Sequence, residues 1–220
     1  MTVALLLLAG AFVALGVWQV ERRAWKHALI AAVNARAHAA PVAAPGPRLW
    51  PIVTQEHDAY RRVTVEGRFL PGRTTVVRAV SDLGSGYWVL SPLDTGRFTV
   101  LVNRGFIPPE EKDRTPEPQG RIRVTGLLRI TEPGGGFLRS NDPPGDKWYS
   151  RDVAAIAAKR RLGPVAPYFI DADASLDAPG QPRGGLTVIR FPDNHMVYAL
   201  TWFGMALLCL WALRRLRSGA

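Results

Sequence analysis

Two runs of uncharged, mostly apolar residues constrain this chain more than any other feature. From Thr2 to Val20 no side chain carries a charge, and a second such run extends from Met196 to Leu213. At ~1.5 Å of rise per helical residue they reach roughly 28 and 27 Å, close to the thickness of a bilayer's hydrocarbon core. Both read as transmembrane helices. An N-terminal apolar run can also be a cleaved signal peptide, and Ala37-His38-Ala39 has a small-x-small look. That tripeptide lies well beyond the run, behind Glu21, Arg22, Arg23 and Lys26, and no basic region precedes the run, so a retained span is the expectation.

Two spans separated by a long segment put both termini on one side of a membrane and the central domain on the other. Arg214, Arg215 and Arg217 favour a cytoplasmic C-terminus, while Arg22, Arg23 and Lys26 pull the opposite way. The expected organisation is a first transmembrane helix over 1–20 and a juxtamembrane stalk with a proline-rich linker over 21–59. A β-rich periplasmic domain over 60–191, a second transmembrane helix over 192–213 and a basic tail over 214–220 complete it.

The texture between the spans supports this division. Glu21 to Ala40 is helix-like, and the four prolines between Pro41 and Pro51 break it into a linker. "YRRVTVEGRF", "TTVVRAV", "YWVLSPL", "FTVLVNRGFI" and "RIRVTGLLRI" follow as strands with turn residues between them, and "PYFIDA" and "GGLTVIR" come later. "RDVAAIAAKRRLG" is the one good soluble helix, with Asp152 as N-cap and Gly163-Pro164 as its stop. The fold class expected is a membrane protein with two transmembrane helices flanking a mostly antiparallel, barrel-like α+β extramembrane domain.

Composition removes several function classes. The single cysteine, Cys209, lies inside the second apolar run, so no disulfide framework, multi-cysteine zinc site or iron–sulfur site can be built. The net charge of +10 suits nucleic acid, anionic headgroups or an acidic partner or cofactor. In a two-span chain the lipid bilayer and acidic partners are the simpler explanation, and no nucleic-acid partner is expected.

The residues with chemical potential gather at the inner ends of the two runs. On a helix starting near Asp193, His195 shares a face with Tyr198, Ala199 and Trp202. An imidazole nitrogen at a span's mouth is a candidate metal ligand, able to hold a haem iron axially with flat aromatic walls beside it. The plainer reading makes Tyr198 and Trp202 aromatic-belt anchors and His195 a hydrated interfacial residue. In "LGVWQVERRAWKH", Arg22 can pair with an anionic group such as a propionate, and Trp18 or Trp25 can lie against its ring. The same residues also make an ordinary basic and aromatic belt. His27 is a weaker thought for a second ligand. His38 and His57 lack ligand spacing, "EPGGG" and "PRGGL" lack the setting of a phosphate loop, and no G-x-S-x-G elbow occurs. "VNRGFIP" reads as a strand ending in a turn, with Gly105 a candidate for positive φ and Arg104 free for an ion pair.

In order, "LGVWQVERRAWK", "YRRVTVEGRF", "VNRGFIP", "NDPPGDKWYSRD", "FIDA" and "NHMVYALTWF" resemble the Surfeit locus protein one family, from Leu15 to Trp211. The resemblance implies a two-span assembly factor of cytochrome c oxidase, its central domain on the periplasmic or intermembrane-space side, with a role in delivering or stabilising haem a. It places the family's histidine on His195 as a haem a ligand, and the string Gly-x-Trp-Gln…Arg on Gly16, Trp18, Gln19 and Arg22. The implied partners are the catalytic subunit of the oxidase and haem A synthase. No step needs a covalent bond made or broken, so an enzyme is not expected. A scaffold that stabilises an oxidase intermediate without a cofactor is the alternative. No Arg-rich, acid-poor presequence precedes the first run, so a bacterial inner membrane is the expected location.

Overall fold

The computed structural model describes residues 1–112, 116–136, 138–176, 180–187 and 193–218. It divides into a helical unit, made by the first 32 residues and the final helix, and a β unit that begins at Val33.

In the helical unit, α1 (Thr2–His38) opens the chain and the last helix, here α4 (His195–Ser218), closes it. Their 37 and 24 residues extend ~55 and ~36 Å. Both are long and apolar enough to cross a membrane. Leu5, Ala9, Phe12, Gly16, Gln19 and Arg23 of α1 are buried or half-buried at alternating spacings of four and three. That spacing keeps one stripe facing a partner helix, as in a coiled coil. The partner stripe is Ala199, Trp202, Ala206, Cys209 and Leu213 of α4. Phe12 stacks on Trp202 with ring centroids 5.7 Å apart, and a Cβ at Gly16 would meet the Phe203 ring at 2.5 Å. Glycine at 16 therefore sets how closely the helices approach. Residues off the stripe, such as Leu7, Leu207 and Leu208, are exposed, so the hairpin turns an apolar exterior outward.

The β unit comprises β1 (Val42–Ala43), the short α2 (Gln55–Asp58), β2 (Arg62–Phe69), β3 (Thr75–Ser81), β4 (Gly84–Asp94) and β5 (Thr99–Ile107). β6 (Ile122–Ile130), the small hairpin β7 (Gly135–Gly136) and β8 (Arg139–Ser140), α3 (Val153–Arg160) and β9 (Val165–Ala172) follow. The main sheet runs β1-β2-β6-β9-β5-β4-β3, and β2 also pairs with β4. That extra pairing closes β2, β6, β9, β5 and β4 into a barrel-like ring, leaving β3 and β1 outside it. β5 and β9 pair in parallel, as do β1 and β2, whereas β2–β4, β2–β6, β3–β4, β4–β5 and β6–β9 pair antiparallel.

Alternation along the strands then builds two cores. Val63, Val65, Val100, Val102, Leu128, Tyr168 and Ile170 point into the ring. Leu101 and Phe169, one residue out of phase, point outward and pack with Trp148, Val153 and Ile156 under α3. β5 is buried at every position because both of its faces are covered. α3 starts where expected, with the Asp152 carboxylate accepting from the Ala155 N–H at 3.1 Å, and ends on Arg161 in the left-handed region at φ 51°.

Four sequence expectations meet different outcomes here. The proline-rich stretch from Pro41 to Pro51 is packed rather than loose. The Pro45 carbonyl accepts from Tyr168 Oη at 2.6 Å and Trp50 Nε1 at 3.0 Å, and Ala44 and Trp50 rest on the ring's core. Burial raises the Tyr168 pKa, so its hydroxyl stays a donor. "GGLTVIR" gives no strand over its described residues, 184–187, where Gly185 turns at φ 68°; 188–190 lie outside the described residues. Gly105 does take a positive φ, 132°, and a Cβ there would meet the Arg183 carbonyl. Arg104, expected free for an ion pair, is 1% exposed and bonds neutral oxygens among the described residues. Its acceptors are Pro116 O at 2.5 Å, Ser91 Oγ at 3.5 Å and Gln181 Oε1. Burial pushes its pKa down to about 10, against the opposing pull of Glu117.

The charged residue that organises this unit is Asp171 of the "FIDA" string. It is buried, with Oδ1 accepting from Asn103 at 2.8 Å and Arg151 at 3.3 Å, and Oδ2 from Arg129 at 2.7 Å and Thr187 at 2.9 Å. Arg151 also forks onto Glu132 at 2.6 and 3.0 Å. Burial disfavours the Arg151 charge, but Asp171 and Glu132 outweigh it and raise its pKa.

Candidate functional site

The helical unit brings the candidate residues together at the start of α4. Asp193 Oδ1 accepts from the His195 N–H at 3.2 Å, which satisfies one of the amides a helix start leaves open. Asp193 Oδ2 takes His27 Nε2 at 2.5 Å and Arg23 Nε at 3.3 Å. Asp193 thus ties the start of α4 to Arg23 and His27 of α1. His27, weighed as a second ligand, has its Nε2 committed to this carboxylate.

His195 sits half-buried beside this anchor, its Nδ1 2.8 Å from Gln19 Oε1. With the amide oxygen accepting, the proton of a neutral imidazole sits on Nδ1 and its lone pair on Nε2. A second group fixing the tautomer in this way is how proteins prepare an imidazole to ligate a metal. Gln19 is the one amide side chain in the first apolar run, and that was the available sequence signal for it. Asp193 was visible only as the residue from which the helix face was counted, and its ion pairs were not.

The aromatic candidates divide. Trp202 is engaged in the helix seam by Phe12, with an interplanar angle of 24°. Tyr198, Trp18 and Trp25 are instead more than half exposed. The Arg22 guanidinium lies over the Trp25 ring at 4.0 Å and has no carboxylate partner among the described residues. This end of the hairpin thus offers a histidine lone pair, flat aromatic faces and a cation. No cluster of three or more His, Cys, Asp or Glu that could hold a metal ion occurs among the described residues.

The chain matches the profile of the SURF1 family over residues 6–207. Surfeit locus protein 1 of mouse is 37% identical over 225 residues, covering 91% of this chain and 70% of the mouse protein. The human protein of that name is 35% identical over 216 residues, covering 87% and 69%. That of Xenopus tropicalis is 34% identical over 246 residues, covering 98% and 76%. With a profile match across most of its length and relatives above 30% identity along nearly all of it, the chain belongs to the SURF1 family.

Proposed function

We propose that this protein is an assembly factor of cytochrome c oxidase, as members of the SURF1 family are generally known, and that it holds haem a during delivery to the oxidase's catalytic subunit. The observation that carries the haem reading is the His195 Nδ1–Gln19 Oε1 hydrogen bond, which leaves Nε2 available as an axial ligand. Haem a is cargo in this reading. Its iron takes the Nε2 lone pair, its propionates have Arg22 within reach of the same helix end, and its isoprenoid tail suits the hairpin's apolar exterior. Ligation by one histidine favours release, which a carrier requires. No catalytic step is assigned. Haem A synthase is the source we propose for the cargo.

We place α1 and α4 across a bacterial inner membrane with the β unit on the periplasmic side, because Arg214, Arg215 and Arg217 follow the apolar part of α4. A cofactor-free scaffold is the second reading, favoured by one observation: the seam already uses Trp202, which a haem wall would have to share.

The deciding experiment is the visible spectrum and haem content of the full chain purified from cells that make haem a, beside His195→Ala and Gln19→Leu. Haem a in the native protein and none in His195→Ala supports the carrier. Colourless native protein, or full haem retention in His195→Ala, sinks ligation by His195 and leaves the scaffold.

A further inference from the structure

The "NDPPGDKWYSRD" string has no part in the haem reading. In the fold it is a loop, cross-linked by its own hydrogen bonds, that displays one side chain. Asn141 Oδ1 accepts from the Tyr149 and Ser150 amides at 2.8 and 3.1 Å, and its Nδ2 donates to Ser150 Oγ at 3.0 Å. Trp148 is 1% exposed under α3, and its Nε1 donates to Asp146 Oδ1 at 2.7 Å. Tyr149, between two buried neighbours, is held half-exposed.

Two guanidinium groups approach its ring, Arg78 at 5.9 Å and Arg139 at 5.5 Å. Neither arginine has a carboxylate partner among the described residues, whereas Arg123, Arg151 and Arg160 do. Arg78, Arg139, Tyr87 and Tyr149 line a concave groove of about 440 Å³, and no acidic residue lines it among the described residues. Lys112 adds a third cation, its Nζ 5.5 Å from the Tyr87 ring centroid.

One wall of the groove is β3, the edge strand of the main sheet. The Arg78 N–H points away from β4 and is taken by the Trp148 carbonyl at 2.9 Å, which forms a short parallel bridge at Val77. In an antiparallel pair, outward-facing residues alternate. Val80 therefore also turns its N–H and C=O outward, beyond the point where Ser150 has left for Asn141. Val80 is 82% exposed and no backbone partner covers this edge among the described residues. An open edge of this kind is a template for one more strand.

We propose that the β unit binds an extended, acidic segment of a partner protein in this groove. Its backbone pairs with β3 beyond Trp148, and its carboxylates rest between Arg78, Arg139 and Lys112. A bilayer surface would use the cations but has nothing to pair with the Val80 backbone, so the open edge favours a polypeptide. The site does not depend on His195 or on any haem.

The test uses the full chain in nanodiscs of neutral lipid and a fluorescein-labelled peptide of alternating Glu and Val, read by anisotropy. A Gln-for-Glu peptide and an N-methylated Glu peptide are the controls. The Glu peptide should bind, and both controls should fail. Arg78→Gln with Arg139→Gln should weaken binding at least about tenfold, since charge-assisted contacts are the stronger ones. Arg48→Gln with Arg121→Gln, an equal change of charge elsewhere, should stay within about twofold. Arg78→Glu with Arg139→Glu should instead bind a Lys and Val peptide, a gain that misfolding cannot imitate. Equal losses in the two Gln pairs, binding of the N-methylated peptide, or groove-dependent binding of anionic vesicles without the Glu peptide would overturn the proposal.

Discussion

Asp171 shows how much one buried carboxylate can hold. Removing it leaves Arg129 and Arg151 to share Glu132 in a site built for two anions. Breaking such a buried pair costs on the order of 3–5 kcal/mol. Asp171→Ala is therefore expected to lower the thermal midpoint of the β unit sharply, read by circular dichroism, and a midpoint within the native error would refute the hub. Asp146 gives a pH-dependent counterpart. Partial burial works against its charge, but hydrogen bonds from Trp148 and Arg160 win and lower its pKa. A carboxylate lowered in the folded state stabilises it above the unfolded pKa, roughly 3.9, and loses that contribution as pH falls through the folded value. Asp146→Asn should thus be less stable than native protein at neutral pH, and the gap should close in acid denaturation series. These partners were not legible in the sequence. Asp171 stood in a recognisable string, yet its four donors come from β5, β6, the segment before α3 and the loop after β9, and only the closed ring brings them to one point.

At the scale of elements, the hairpin of α1 and α4 presents His195. The close approach at Gly16 keeps Gln19 within reach of Nδ1. Gly16→Leu should push α4 away and release His195 from Gln19 although it alters neither residue. Nitrogen NMR of labelled histidine should then show the Nδ1–H tautomer replaced by a mixture, as in Gln19→Leu; an unchanged tautomer in either variant would remove the positioning role. The two helices were readable because length without charge is a strong signal, and α3 because its cap and stop residues stand at both ends. The β1 segment was not. Four prolines look like a tether, and nothing local to Pro45 says that its carbonyl will meet Tyr168, more than a hundred residues away.

For the whole molecule, the long strands β2 to β6 and β9 were legible one at a time, the expected strand at "GGLTVIR" did not form over its described residues, and the strand order was not legible. Alternation fixes which face of β5 or β9 is buried, but the parallel pairing of these two depends on a connection through β6 and α3 that local pattern does not encode. The proposed topology can be checked directly. In a Cys209→Ala background, Ser81→Cys and Ser218→Cys should react with a membrane-impermeant thiol reagent from opposite faces of sealed vesicles; labelling from one face would rule out two spans. The ring itself has an uneven perimeter. β2 meets β6 through six paired residues, Arg62 to Gly67, but meets β4 through only two, Arg68 with Asp94 and Phe69 with Leu93. A seam that short is where a closed sheet opens first, so amide exchange at Phe69 and Asp94 should run through a local breathing motion while Val63 and Val124 exchange only on global unfolding.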